Sequence, residues 1–419
     1  MLQEESYPMN NWLRTVTVLL IITLSGAALA QPSTSSLLQH DDFSVQLQTM
    51  RKGYDGNFCW VHARAGAIPS TAQTEPLLVM TTQKLQLTGS DVFYAIHSSH
   101  SGDSGNTWTP LLPQSPFRRR KVGDAQELTV CDFTPQWHAS TGKLLGIGQT
   151  VQYQDNRVMH VRRRDTAYSV YDPDSHTWNA WQSLVMPDEP RFQSCGAGSV
   201  QRWDLDNGEI LLPVYFKEPK ATQYSVTVVR CQFDGKELKY IEHGNEMTLN
   251  QKRGLYEPSL IQHGGRFYLT LRNDDSGYVA TSEDGLHFTP PQPWCFEDGD
   301  PLGSYNTQQH WISHGEDLYL VYTRKGLNND HVFRHRAPLL IAKVDTNKNA
   351  VIRSTEKVLV PERGARLGNF GVTVVSPEEV WVTVTEWMQT WGPDIIIPPD
   401  NSRGADNSIF IAKIKWHPE

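Results

Sequence analysis

The sequence predicts an all-β fold, a six-bladed β-propeller built from four-stranded antiparallel blades. Three observations lead to this prediction. A polar turn closed by a tryptophan has the pattern of a propeller hairpin, a two-strand unit recurs six times, and no long amphipathic helical pattern interrupts the strands. A composition of 38% hydrophobic residues, with 13 Trp and 15 Tyr, also suits many short, half-buried strands packed sheet on sheet.

The polar turn lies at residues 101–108, which fit the S-x-D-x-G-x-T-W pattern known as an Asp box. We expect the Asp103 carboxylate to accept hydrogen bonds from backbone N–H groups of the turn, Gly105 to take the turn position, and the tryptophan to pack under the hairpin. A degenerate relative lies at residues 282–288, and residues 171–178 keep only the ending. Such a hairpin is typical of the outer edge of a propeller blade.

The repeated unit is a pair of alternating strands joined by a loop. It is clearest where a His-Gly turn opens residues 263–272 and again residues 314–324. Four further copies pair residues 75–83 with 93–100, 141–152 with 168–171, 207–216 with 225–233, and 377–385 with 408–416. A spacing of roughly 50 to 70 residues is typical of propeller blades. Residues 43–49 also alternate, and we expect them to pair into the last blade and close the ring.

The first 30 residues resemble a targeting segment. Arg14 precedes an apolar run at residues 16–24, and Ala28-Leu-Ala30 forms a cleavage site of small residues. This order predicts a secretory signal peptide at residues 1–30 and a single propeller domain at residues 31–419. We expect a secreted or periplasmic protein without a stable membrane span after cleavage, with an uncleaved membrane anchor as the alternative.

Charge and cysteine usage exclude some classes. The formal net charge of −8 argues against a nucleic-acid partner, and the basic runs at residues 118–121 and 162–164 are interpreted as solvated loop faces. The five cysteines show no C-x-x-C spacing and are expected to be small buried residues. No nucleotide loop, G-x-S-x-G or H-E-x-x-H motif is present, and the histidines show no metal-ligand spacing, so we predict neither cofactor nor metal.

Four segments resemble the sialidase superfamily, the Asp-box glycoside hydrolases, and the resemblance covers most of the mature chain. They are residues 60–69, 89–94, 256–272 and 334–341. The resemblance implies an acid/base role for Asp91 and a supporting carboxylate in Glu257. It also implies a substrate-binding role for three arginines, Arg64, Arg272 and Arg336, with Arg324 as a competitor for the third position.

Three arginines from different blades have a physical rationale of their own. Each guanidinium offers two parallel N–H donors and a permanent charge, so three of them can hold one carboxylate. This indicates an acidic oligo- or polysaccharide as the partner and a sialic or uronic acid as the bound sugar. The resulting hypothesis is an exo-acting hydrolase that removes a terminal acidic sugar.

One position departs from the sialidase pattern. The family uses a Tyr nucleophile in the last blade, whereas this chain has Phe370 at the matching place. Phe has no oxygen with which to attack. Either the true register of the match is different, or Tyr256, Tyr278 or Tyr305 replaces the nucleophile, or the chemistry differs.

Two histidines support a different chemistry. His62 or His310, beside Arg64 and Arg272, would serve as the base of a polysaccharide lyase that removes the C5 proton of a uronate. A rhamnosidase-type enzyme on acidic polymers fits the same residues. A third hypothesis is an Asp-box propeller that binds glycans without catalysis.

Overall fold

The computed structural model describes residues 35–70, 75–89, 91–389 and 401–418. The predicted signal peptide at residues 1–30 lies outside these ranges. Within them, no helix is long and apolar enough to cross a membrane. The helical content of the described ranges is limited to five single 3₁₀ turns, at Ser115–Phe117, Pro190–Gln193, Phe333–His335, Arg353–Thr355 and Asn401–Arg403.

The strands pair into six antiparallel sheets. The chain starts with β1 (Ser35–Gln39) and β2 (Phe43–Arg51), which belong to the last sheet. The first sheet holds β3 (Phe58–Ile68), β4 (Leu77–Gln86), β5 (Phe93–Ser101) and β6 (Leu112–Pro113). The second sheet holds β7 (Arg120–Gly123), β8 (Gln126–His138), β9 (Lys143–Gln154), β10 (Arg157–Val158), β11 (Thr166–Asp172), β12 (Thr177–Trp178) and β13 (Gln182–Ser183).

The other sheets follow in chain order. The third holds β14 (Ser194–Gly196), β15 (Trp203–Asp204), β16 (Glu209–Lys217), β17 (Ser225–Phe233), β18 (Leu238–His243) and β19 (Met247–Thr248). The fourth holds β20 (Tyr256–His263), β21 (Arg266–Arg272), β22 (Gly277–Ser282) and β23 (Gln292–Pro293). The fifth holds β24 (His310–His314), β25 (Asp317–Tyr322), β26 (Leu339–Asp345), β27 (Ala350–Val351) and β28 (Lys357–Val360). The sixth adds β29 (Arg366–Ser376), β30 (Glu379–Trp387) and β31 (Ile409–Trp416) to β1 and β2.

The prediction of an all-β propeller is confirmed, but two of its details are not. Among the described residues, only the first and fourth sheets have four strands. Short loop strands pair onto the second, third and fifth sheets, and β1 pairs onto β2 at the edge of the sixth. The propeller is counted as five-bladed, which is one blade fewer than predicted. Its described strands nevertheless pair into six separate sheets.

The ring is closed by pairing the start of the chain with its end. Strand β2 lies antiparallel to β31, with Phe43 opposite Trp416 and Leu47 opposite Ala412. This confirms the predicted role of residues 43–49. Between neighbouring sheets lie apolar layers, such as the one that joins Leu145 of β9 to Val214 of β16. Burial between adjacent sheets thus holds each sheet against the next.

The hairpin at residues 101–108 follows the geometry expected for its side chains. The backbone N–H of Thr107 donates to Asp103 Oδ1 at 2.9 Å, and the Thr107 hydroxyl donates to Oδ2 at 2.6 Å. Trp108 Nε1 donates to the Gly105 carbonyl at 3.1 Å. At residues 282–288, Asp284 accepts from two backbone N–H groups in the same way.

Gly105→Ala is expected to lower the free energy of unfolding by about 2–4 kcal/mol. Gly105 has φ +74°, and a Cβ there would lie 2.5 Å from Cη2 of Trp381. The cost combines a strained backbone with overpacking against a buried indole. Urea denaturation measures it, with Gly102→Ala as the matched control, since a Cβ at Gly102 meets nothing within 4 Å. Equal stabilities of the two variants would contradict the role of this turn.

Four innermost strands carry the same irregularity. In β3, β8, β20 and β29 the pairing register shifts across two residues. The first residue of each bulge has a positive φ: His62 (58°), Asp132 (53°), Glu257 (45°) and Asn369 (51°). A bulge re-aims the side chain that it carries. Strained backbone of this kind occurs where function requires it, so the four positions direct attention to the space that they surround.

Candidate active site

A cavity of about 300 Å³ receives side chains from all six sheets. Three of its lining residues are the bulge residues Asp132, Glu257 and Asn369. Its charged lining consists of seven arginines and three carboxylates: Arg162, Arg164, Arg253, Arg272, Arg334, Arg336, Arg366, Asp91, Asp132 and Glu257. This excess of positive charge in an enclosed space attracts an anion.

Arg272 and Glu257, both predicted site residues, meet at one side of the cavity. Arg272 ends β21 and lies opposite Tyr256 in the register of β20. Its Nη1 donates to Glu257 Oε2 at 2.5 Å, and its Nη2 donates to Asn306 Oδ1 at 2.7 Å. Both charged side chains are buried, so the pair is a strong charge-assisted hydrogen bond.

Arg336, which the sequence analysis names as a substrate-binding candidate, also lines the cavity. It follows the 3₁₀ turn Phe333–His335, is 3% exposed, and its Nε donates to the Asn306 carbonyl at 3.0 Å. No described carboxylate forms an ion pair with it. Burial lowers the pKa of Arg336 well below its ordinary value, and the charges of Arg272, Arg334 and Arg366 lower it further. A bound anion would relieve this repulsion.

Arg366 is a lining residue that sequence reasoning missed. It begins β29, and its guanidinium lies 4.3 Å from the ring centre of Trp387 and 4.9 Å from that of Phe333. Burial and the charge of Arg334 lower its pKa to about 9. Its Nε is buried without a hydrogen-bond partner. The only sequence signal was its place directly before residues 367–374, the segment that the sialidase pattern had already selected.

Three predicted residues lie away from the cavity. Arg64 is 1% exposed, and its Nη2 donates to Ser199 Oγ at 2.6 Å. Arg324 donates to Glu356 from Nη2 at 2.7 Å. The Tyr305 hydroxyl lies 2.6 Å from His335 Nδ1. None of the three lines the cavity, so their geometry does not support direct contact with a ligand there.

The two predicted histidines are also buried outside the cavity lining. His62 Nε2 lies 3.3 Å from Asp132 Oδ1. His310 Nε2 lies 3.1 Å from the Phe370 carbonyl, and its Nδ1 lies 2.8 Å from Ser259 Oγ. Burial, together with the charge of Arg64, lowers the pKa of His310 to about 3. These placements do not favour either histidine as a base that reaches a substrate.

His310 makes stability depend on pH. Its pKa is lowered on folding from 6.5 to about 3, so the unfolded chain takes up the proton first as the pH falls. Stability is therefore present above pH 6.5 and is lost towards pH 3. Between pH 7 and 5 we expect His310 to account for a loss of about 2 kcal/mol. Urea denaturation at both pH values checks this, and His310→Gln should show a smaller loss; an equal loss would contradict the assignment.

The bulge in β29 turns the side chain at the expected nucleophile position away from the cavity. Phe370 is fully buried in the apolar layer, while the preceding Asn369 lines the cavity. Asn369 Nδ2 donates to Asp132 Oδ1 at 2.8 Å, and Ser199 Oγ donates to the same oxygen at 2.6 Å. Burial opposes ionisation of Asp132, but His62, Arg64 and these donors keep its pKa well below the ordinary value. Asp132 is thus a buried carboxylate that sequence reasoning missed.

Three tyrosines line the cavity, and only one was considered from sequence. The Tyr215 hydroxyl donates to Gln149 Oε1 at 2.6 Å, and the Tyr256 hydroxyl donates to Asp274 Oδ1 at 2.5 Å. The Tyr224 hydroxyl instead accepts from Arg164 Nη2 at 3.1 Å. Burial raises the pKa of Tyr224, but the charges of Arg164, Lys217 and Arg162 outweigh it, so the pKa lies below the ordinary value. Tyr224 is the lining tyrosine whose phenol ionises most readily.

Asp91 lies at the mouth of the cavity. It is exposed, has φ 54°, and its backbone carbonyl accepts from the Tyr153 hydroxyl at 2.8 Å. The backbone is thereby held, and the exposed residue forms part of the cavity lining.

No cluster of three or more His, Cys, Asp or Glu side chains suited to a metal ion occurs within the described ranges. All five cysteines are unpaired, and four of them are buried.

The fold of the chain is similar to that of sialidase propellers. Among solved structures, the chain is similar to a protein of unknown function from Dyadobacter fermentans, with 14% identity, TM-score 0.59, and coverage of 88% of this chain and 99% of that one. It is also similar to a Hadza microbial sialidase, with 12% identity, TM-score 0.58, and coverage of 88% and 68%. Against Trypanosoma rangeli sialidase the identity is 13% and the TM-score 0.56, and the match spans 92% of this chain but only 60% of that one. No family model and no curated protein matches the chain. At these identities the similarity shows the fold.

Proposed function

We propose that this protein is an exo-acting, sialidase-like glycoside hydrolase that removes a terminal sialic or uronic acid from glycans. In this proposal the propeller has six blades, one for each sheet, and the hairpin at residues 101–108 is an Asp box. The observation that carries it is the placement of Arg336 and Arg366, two buried cations without a described carboxylate partner, in one cavity with Arg272. A volume of about 300 Å³ suits a single sugar ring and therefore exo action.

The three arginines would bind the carboxylate of the sugar. Arg336 and Arg366 supply two charges that no described side chain neutralises, and Arg272 supplies a third that Glu257 orients. Parallel N–H donors fit the two oxygens of a carboxylate, which a single lysine charge would not. Arg366 would bind the carboxylate in the position that the sequence analysis assigned to Arg64.

Asp91 would donate the proton to the leaving oxygen. It combines an exposed carboxylate with a fixed backbone at the cavity mouth, where a glycosidic bond would emerge from a sugar held below.

Tyr224 would supply the attacking oxygen that Phe370 lacks. Its phenolate oxygen, whose ionisation the neighbouring arginine and lysine charges favour, would form a bond to the anomeric carbon while the glycosidic C–O bond breaks, and Asp91 would pass its proton to the leaving oxygen. Water, deprotonated by Asp91, would then release the sugar. The hydroxyls of Tyr215 and Tyr256 are already committed as donors to Gln149 and Asp274, which favours Tyr224.

A second candidate function is a uronate lyase, and Tyr224 also favours it. A phenol that ionises readily beside Arg164 could remove the C5 proton of a uronate whose carboxylate the arginines neutralise. As the Tyr224 phenolate takes the C5 proton, the electrons of the C5–H bond would form a C4–C5 double bond, the C4–O bond would break, and Asp91 would protonate the leaving oxygen. The buried His62 and His310 would have no part in that reaction. A rhamnosidase-type activity and a glycan-binding module without catalysis remain as further alternatives.

Asp91→Asn is expected to lower the turnover of a natural glycoside by about 10²–10⁴-fold, because the amide cannot protonate the leaving oxygen. A fluorogenic substrate with an acidic leaving group needs little protonation of that group. Its turnover should therefore fall less in Asp91→Asn. The assay compares natural and fluorogenic glycosides, each as a sialoside and as a glucuronide. The matched control is Asp124→Asn, an exposed aspartate in the turn after β7. Equal losses on both kinds of leaving group would contradict the acid role.

Product analysis separates the candidate functions. A hydrolase releases a saturated acidic sugar, whereas a lyase produces an unsaturated product that absorbs in the ultraviolet. Binding without either product would favour the non-catalytic module.

A further inference from the structure

We infer that the cavity contains a second anion-binding subsite, formed by Arg162 and Arg164, and that the ligand carries a second acidic group besides its carboxylate. That group is a sulfate ester or another carboxylate, on the bound sugar or its neighbour. The inference rests on the proposed function, since it takes Arg336 and Arg366 as the site of the first carboxylate.

The basic run at residues 162–164 is not a solvated loop face, contrary to the sequence interpretation. It lies between β10 and β11, where Arg162 is half-buried and Arg164 is 7% exposed, and both line the cavity. Arg163, between them, points outward and pairs with Asp165 at 2.8 Å. Because neighbouring residues of an extended chain point to opposite sides, the loop presents two of its three charges to the cavity.

Arg164 is firmly held. Its backbone N–H donates to the Gln193 carbonyl at 3.3 Å, and its own carbonyl accepts from Cys195 at 2.9 Å. The guanidinium lies 5.0 Å from the ring centre of Tyr215 and 5.1 Å from that of Tyr224. Burial disfavours the charge on Arg164, but these two tyrosines outweigh it and keep its pKa above the ordinary value. The side chain is therefore a fixed cation.

Both side chains have unused donors. Arg164 donates from Nη2 to Tyr224, while its Nη1 is buried without a partner. Arg162 donates from Nη1 to the Met159 carbonyl, and its Nε is likewise buried without a partner. Neither forms an ion pair with a carboxylate in the part of the chain that the structure describes. Buried guanidinium donors without an anion are costly, and a ligand oxyanion would satisfy both.

The two arginine groups are separate in the ring. Arg162 and Arg164 come from the second sheet, whereas Arg336 and Arg366 come from the fifth and sixth. The pKa of Arg162 is lowered by burial and by the charge of Arg164. The pKa of Arg336 is lowered by burial and by arginines of its own side of the cavity. The positive charges therefore repel one another within each arginine group. A single bound carboxylate would neutralise only one of the two groups.

The test compares ligands with one and with two acidic groups by isothermal titration calorimetry. The pairs are galacturonic acid with digalacturonic acid, galacturonic acid with its 2-sulfate, and sialic acid with its α2,8-linked dimer. We expect at least one doubly charged ligand to bind the wild-type protein ten-fold or more tightly than its singly charged counterpart. The pair that shows the preference identifies the second group as carboxylate or sulfate.

Single substitutions in residues 162–164 test which arginines cause the preference for doubly charged ligands. In Arg164→Gln, the ratio of affinities for doubly and singly charged ligands should fall below three-fold. If Arg164→Gln fails to fold, Arg162→Gln should show the same fall. Arg163→Gln removes the same charge from the same loop but faces solvent, so it should keep the full preference.

The outcomes separate this inference from the proposed function. If Arg336→Gln weakens every ligand but no pair shows a preference in the wild type, the second subsite is wrong and the carboxylate site stands. A preference that survives in both Arg162→Gln and Arg164→Gln would also overturn the subsite. If no ligand binds and Arg336→Gln changes nothing, the carboxylate site fails and the inference fails with it.

Discussion

Arg336→Ala is expected to weaken binding of an acidic sugar, and to lower kcat/KM, by roughly 10²–10⁴-fold. Arg336 is a buried cation whose Nε and Nη2 are tied to the Asn306 carbonyl, and it faces the cavity without a carboxylate partner. Removing it takes away a charge and a planar donor group. Calorimetric titration with sialic and galacturonic acid measures the binding loss, and steady-state kinetics measures the loss of turnover.

Two comparisons make this result specific. Arg336→Lys keeps the charge but loses the parallel donors, so it should give an intermediate loss. Arg324→Ala removes an arginine that the sequence offered for the same role, but its partner is Glu356, and we expect binding to persist. If Arg324→Ala and Arg336→Ala weaken binding equally, the arrangement of the carboxylate site is wrong.

Asp132→Ala is expected to lower the free energy of unfolding by about 3–5 kcal/mol. Asp132 lines the cavity beside His62 and Arg64, both almost fully buried, and accepts hydrogen bonds from Ser199 and Asn369. Without the carboxylate, Arg64 would keep a buried charge with no anion beside it. Urea denaturation near neutral pH measures the loss.

The exposed Asp188 gives the matched control. Asp188→Ala should change stability by less than about 0.5 kcal/mol, because the side chain faces water. Asp132→Asn keeps two acceptor sites on one oxygen but no charge, so it should retain part of the stability lost in Asp132→Ala. A cost below about 1 kcal/mol for Asp132→Ala would show that the buried network does not depend on this charge.

The sequence predicts the propeller because the signals for it are local. Alternation within a strand, the polar turn before Trp108, and the return of the His-Gly turn at His314 are each readable within ten residues or so. The closing pair of residues 43–49 with the last strand also follows from alternation, together with the need to remove an exposed edge.

The membership of the site is harder to predict, because bulges change which side chains face inward. Strict alternation would assign the same face to residues two apart, yet the bulge in β3 changes the direction of the chain between His62 and Arg64. In β29 the bulge turns Phe370 into the core and Asn369 into the cavity. Arg272 and Glu257 were found because the motif that carries them spans one hairpin. Arg366 was missed because its one signal, its place directly before residues 367–374, does not distinguish it from any arginine that starts a strand.

The closing sheet makes the order of synthesis matter for this protein. Strand β2 leaves the ribosome early, and its partner β31 is the last to be made, so β2 waits with an open edge while the rest of the chain emerges. Arg366 stands on β29 of the same sheet, and it comes to the cavity only when that sheet is assembled. A nascent or C-terminally shortened chain can therefore have five of its sheets folded and still lack Arg366 in the cavity, while its unpaired β2 edge is open to association with other chains.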